Sequence, residues 1–136
     1  MPERDRDYLP RVYLDLRAEH PGIAEAYDKI GDACRHAGPL DEREQRLVKL
    51  GIAVGLSSEG GVRSHVRRGL VEGLTRAELL HAIVIAVPTA GFPATAAAYR
   101  WACQVLDREA DESAQEAGVK QAIHGPARSG SGRSDA

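Results

Sequence analysis

The segment "LDEREQRLVKLGIAVGLSS", from Leu40 to Ser58, limits what this chain can fold into more than any other stretch. Asp41 stands where an N-cap belongs and Glu44 follows three residues later, a capping-box pattern with aspartate in the cap role. The spacing predicts a helix from Glu42 to about Ser57. Beyond Leu47 that helix is apolar on nearly every side, so other helices or a neighbouring subunit must cover it. Gly51 and Gly55, at i and i+4, would let another backbone approach closely, at a cost of roughly 1 kcal/mol each in helix propensity.

The rest of the chain supplies the covering helices. Aromatic residues make up only 4% of the 136 positions, and helix formers outnumber the aromatic and β-branched residues that favour strands. "HPGIAEAYDKIGDACRHAG" opens on Pro21 and closes on Gly38 and Pro39, with Ile23, Ala26, Tyr27, Ile30, Ala33, Cys34 and Ala37 forming one predicted buried stripe. Cys34 is read there as a small buried hydrophobe. A helix from about Gly61 to Glu72 places Val62, Val66, Gly69, Leu70 and Gly73 on one face. Thr75 with Glu78 makes a second capping box, and Pro88 should kink or end the helix it opens. After the turn "PTAGFP", "ATAAAYRWACQVLDREADE" resumes helical spacing. These patterns predict an all-α bundle of about five or six helices in one domain, residues 1–109. Residues 1–10 read as a charged lead-in, and residues 110–136, ending in "GPARSGSGRSDA", as a mobile tail.

Composition excludes several classes of partner. The formal net charge is -2, and eighteen Lys and Arg are interleaved with twenty Asp and Glu, so nucleic acid is not an expected partner. The longest apolar run, Leu79 to Pro88, is about half the ~20 residues needed to span a bilayer, and "MPERDRDYLPRVYL" is too charged for a signal peptide. Cys34 and Cys103 show neither a C-x-x-C nor a zinc-type spacing, which points to a reducing, cytoplasmic setting with no metal or cofactor expected.

Of the five histidines, His20, His36 and His124 read as surface residues and His81 as a hydrogen-bonded core or interface residue. His65 differs. It sits one turn inside a Gly-rich helix entry, at the edge of the buried arc, with Arg68 and Glu72 at i+3 and i+7 on the same edge. Its ring nitrogens could face a pocket, with Glu59 or Glu72 fixing the tautomer for general acid–base work. The alternative is a boundary histidine in a surface salt-bridge cluster.

The order of "LDEREQRLVKLGIAV", "VRSHVRRGLVEGLTRAELLHAIVIAV" and "GFPATAAAY" resembles the carboxymuconolactone decarboxylase and alkyl hydroperoxidase D-like family over about residues 20 to 107. The resemblance implies a helical protomer that assembles into trimers or hexamers. Family members with peroxidase activity carry C-x-x-C-x-x-x-H at this junction, with an upstream glutamate in the proton relay. That pattern falls on Ser58, Gly61 and His65, and the relay glutamate on Arg46. The histidine is kept; the two thiols and the relay carboxylate are not. Serine is far less nucleophilic than a thiolate, glycine has no side chain and arginine cannot accept a proton, so dithiol peroxidase activity is disfavoured.

The decarboxylase branch needs no thiol pair. Its resemblance implies a pocket for a small carboxylated or lactone substrate, with His65 as general acid, Glu59 orienting it, and Ser58, Arg46, Arg63 or Arg68 available for binding. Alternatives are a non-catalytic ligand-binding or assembly protein on the same fold, and a thiol peroxidase built on Cys34 or Cys103.

Overall fold

The computed structural model describes residues 11–125; the lead-in and the last eleven residues of the expected tail lie outside them. The described residues form six helices of nine residues or more and one short helical turn, with no strand among them. In chain order they are α1 (Arg11–Glu19), α2 (Pro21–Arg35), α3 (Glu42–Gly55), α4 (Glu59–Val71), α5 (Arg76–Val84), α6 (Val87–Ala90) and α7 (Phe92–Ile123). The chain divides into two compact units, the first ending at Leu106 and the second beginning at Asp107.

The core of the first unit is built on α3. Leu50 and Val54 are fully enclosed and Ala53 nearly so, in one cluster with Val62 and Val66 of α4, Leu74, Leu79 and Ile83 of and just before α5, and Ala98, Ala102, Val105 and Leu106 of α7. The expected buried arc of α4 holds at Val62, Val66 and Gly69. Asp41 caps α3 by accepting from Glu44 N–H, and Thr75 and Glu78 form a reciprocal box at the start of α5. Of the two expected capping boxes only the second is closed in both directions. α5 stops at Val84, before Pro88, which instead falls in the first turn of α6.

Two Schellman turns set the path around α4. At the end of α3, Ser57 N–H reaches Val54 O and Ser58 N–H reaches Ala53 O, with Ser57 in the left-handed region at φ 52°. Ser58 then caps α4 by accepting from Gly61 N–H at 3.1 Å. At the other end of α4, Gly73 takes φ 90° while Leu74 N–H bonds Gly69 O. A Cβ built on Gly61 would lie 3.1 Å from Ala53 Cβ, and one on Gly69 would lie 3.6 Å from Arg46 Cγ and 2.7 Å from Leu79 Cδ2. These pairings make α3 and α4 antiparallel, with their close approach at Gly61. A Cβ on Gly51 or Gly55, the expected contact points, would meet nothing within 4 Å among the described residues.

The expected stripe on α2 is amphipathic but uncovered: Ile23, Tyr27 and Ile30 are each more than 60% exposed, Cys34 is exposed, and only Ala24 is buried. A one-face apolar pattern reports that a helix needs a partner, and none of the described residues covers this one. α1, which the sequence reading missed, is joined to α2 by the two-pronged contact of Arg17 with Asp28, and Tyr13 accepts from the same guanidinium. Gln45 donates to Arg35 O and Leu40 O, tying the end of α2 to the start of α3. The helix running past Leu106 differs from the irregular tail expected after Ala110: residues 107–123 are helical and almost wholly exposed. Good helix formers such as "READESAQEA" sustain a helix with nothing to bury.

Candidate functional site

The candidate site starts from Arg46 of α3, which lies across the surface of α4 and reaches two residues that are two turns apart on it. Arg46 Nε donates to Glu72 at 3.0 and 3.2 Å, and Nη2 donates to Glu72 Oε1 at 2.7 Å. Its remaining arm, Nη1, stands 2.8 Å from His65 Nδ1. The Arg46 and Glu72 side chains are only 11% and 16% exposed, so the planar fork of the guanidinium meets the carboxylate largely out of water.

This geometry decides the state of the histidine. A guanidinium has donors and no acceptor, so Nδ1 must present its lone pair and the ring proton resides on Nε2. Partial burial and then the positive charges of Arg46, Arg68 and Lys49 push the His65 pKa down to about 4, against a smaller opposite effect from Glu72. At neutral pH the ring is therefore an uncharged imidazole with a fixed Nε2–H.

The other expected site residues separate. Glu59 is turned to Arg63, at 3.0 Å, and Arg63 continues to Gln104 of α7 at 2.6 Å, so among the described residues the partner on His65 Nδ1 is Arg46 and not Glu59. Ser58 Oγ is occupied as the cap of α4. Arg68 lines a cavity of about 420 Å³ together with Arg46 and Lys49. The role of Glu72 was visible in its i+7 spacing from His65, whereas Lys49 carried no signal beyond a lysine in an apolar helix. His81 borders a separate apolar groove of about 670 Å³ with Val48, Ile52 and Ile85. Among the described residues no group of three or more His, Cys, Asp or Glu is placed to hold a metal, and no helix is long and apolar enough to cross a membrane.

The family profile described as "Carboxymuconolactone decarboxylase family" matches residues 21–104, more than half of the chain. The chain belongs to the carboxymuconolactone decarboxylase family. Its fold is similar to the crystal structure of an apo carboxymuconolactone decarboxylase family protein from Legionella pneumophila, with TM-score 0.62 and 21% identity, over 76% of this chain and 98% of that one. No curated protein matches the sequence.

Within this carboxymuconolactone decarboxylase family chain, a Cβ at Gly61, the position on which the second cysteine of the peroxidase pattern falls, would stand 2.8 Å from Ser58 Oγ and 3.1 Å from Ala53 Cβ, so a side chain there requires its neighbours to shift. Cys34 is exposed on α2 and Cys103 half-buried on α7, neither in contact range of a partner thiol.

The lowered pKa predicts a pH dependence. Since the folded pKa of about 4 lies below the unfolded value of 6.5, the unfolded chain binds the proton first. The contribution of His65 to stability is complete above pH ~6.5 and declines as pH falls towards 4. Discounted for solvent screening of a half-buried ring, the loss is of order 1 kcal/mol. Urea melts between pH 4.5 and 7 should show this decline in the wild type and a shallower one in His65→Gln; parallel slopes would refute it.

Proposed function

We propose that this protein is a lyase-type enzyme acting on a small carboxylated or lactone substrate, and that His65 serves it as a neutral hydrogen-bond donor. The observation that carries the reading is the Arg46 contact on Nδ1, which leaves Nε2–H as the ring's only donor. With a pKa of about 4, roughly one ring in a thousand is an imidazolium at pH 7, so general-acid catalysis by a charged ring is a poor fit. A neutral imidazole can still polarise a carbonyl and stabilise the enolate oxygen that forms next to it. In a decarboxylation the C–C bond to the carboxylate breaks, carbon dioxide departs, and the electron pair passes into the enolate that Nε2–H steadies. A solvent proton then adds to carbon. Glu59 has no part in this version; Glu72, through Arg46, takes the orienting role the sequence suggested for it.

Turnover is tested with a panel of small lactones and unsaturated carboxylic acids, screened first by thermal shift and then for product. A ligand at 100 times its Kd raises stability by about 2.7 kcal/mol, well within reach of a melting curve. His65→Gln should keep its fold and lose about 100-fold or more in kcat, the usual cost of removing one oxyanion donor. Wild-type rates in His65→Gln would refute the role.

We further propose self-association as a trimer or hexamer in the cytoplasm, supported by the uncovered stripes Ile23, Tyr27 and Ile30 on α2 and Val48, Ile52 and Leu56 on α3, and by two unpaired cysteines. A non-catalytic assembly protein would use the same stripes, which keeps that reading as the alternative. Sedimentation velocity should show an oligomer for the wild type and smaller species for Ile52→Glu; a monomeric wild type would contradict the assembly.

A further inference from the structure

The cavity of about 420 Å³ that Arg46 lines, one contact away from His65 and not lined by it, has an unequal charge account. Four cations line it: Arg35, Arg46, Lys49 and Arg68. Arg35 is satisfied by Asp32 at 2.6 Å, and Arg46 by Glu72 and His65. Of the carboxylates on the same wall, Asp28 is taken by Arg17 and Asp32 by Arg35, while Glu42 is exposed in the first turn of α3. Among the described residues no carboxylate pairs with Lys49 or Arg68.

The placement of these two cations follows from the helix pairing. Lys49 is one turn beyond Arg46 on α3, and Arg68 is one turn beyond His65 on α4. Because the helices are antiparallel, the two steps run in opposite directions, and the cations flank the Arg46–His65 contact. Both charges act on the imidazole, which places them within electrostatic reach of the same point. Like charges gathered at a cavity repel one another, and the repulsion is relieved when an anion enters. The remaining wall includes Tyr27, which offers a ring face and hydroxyl to the body of a small molecule, and Tyr13, whose ring and hydroxyl are engaged by Arg17.

We propose that Lys49 and Arg68 form an oxyanion seat in this cavity, taking a carboxylate or phosphate group of the ligand, and that Arg46 is a positioning residue for His65 and not a ligand contact. This deepens the catalytic reading and rests on it for the identity of the ligand as substrate. Arg68 was a candidate from the sequence; Lys49 is new, and Arg46 is assigned to positioning because its charge is met by Glu72 and each of its three nitrogens already engages Glu72 or His65.

The test is titration calorimetry of the full chain with succinate and with inorganic phosphate, and with succinamide as the uncharged probe. Succinate or phosphate should bind and succinamide should not. Lys49→Gln and Arg68→Gln should each weaken anion binding about tenfold, the loss of one charge-assisted hydrogen bond, while Lys29→Gln on exposed α2 leaves it unchanged. Tighter binding of phosphate than of succinate would assign the seat to phosphate, and the reverse to carboxylate. Absence of anion binding, or unchanged affinity in either Lys49→Gln or Arg68→Gln with native melting curves, overturns the proposal. Because calorimetry reads binding without turnover, the two readings fail separately. A protein that binds succinate through both cations and turns nothing over keeps the seat and loses the enzyme. A protein whose turnover depends on His65 but whose KM is unchanged in both variants keeps the enzyme and loses the seat.

Discussion

Arg46 carries a charge into a place with little water, and the local structure around the site depends on how that charge is met. A guanidinium that is 11% exposed is tolerated only where a carboxylate and further acceptors replace its hydration. Glu72 supplies the carboxylate and His65 Nδ1 the last acceptor. Removing either partner from such a pair leaves a poorly solvated charge, which costs several kcal/mol when the pair is buried. The same three groups thereby tie α4 to α3 and set the protonation of His65.

That arrangement rests on details of backbone and packing. Gly69 leaves room for Leu79 and Leu74, whose side chains would lie 2.7 and 3.2 Å from a Cβ at that position, so α4 can pack against the start of α5. At the other end, Ser57 in the left-handed region and Ser58 as a cap turn the chain within three residues. A non-glycine residue in that region is unfavourable by about 1 kcal/mol or more, a strain accepted at the point where α4 is aimed. The position on which the family resemblance places a relay glutamate is Arg46, a cation, and its charge, after burial, helps hold His65 neutral.

Much of the fold was readable from spacing. Asp41 and Thr75 announced the helices they cap, and Val62, Val66 and Gly69 marked the inner face of α4, because caps and apolar periodicity are local properties. Features set by other helices were not readable in the same way. The α2 stripe of Ile23, Tyr27 and Ile30 predicted burial, and among the described residues these side chains are exposed. Glu59 looked like the natural partner of His65 and is instead drawn to Arg63, four residues along its own helix, while Arg46 arrives from nineteen residues away. Helix existence is written in the sequence nearby; which side chain reaches across to which depends on how helices distant in sequence pack, as with Arg46 and His65.

The most direct measurement is a nitrogen-15 NMR titration of the imidazole side chains, with His65 assigned by comparison with His65→Gln. If Arg46 holds Nδ1, the ring should show the signature of a neutral Nε2–H tautomer at pH 7 and titrate near pH 4. Replacing Arg46 with glutamine should raise that midpoint towards 6.5. A His65 that titrates at its ordinary value, or one carrying its proton on Nδ1 at neutral pH, would contradict the account.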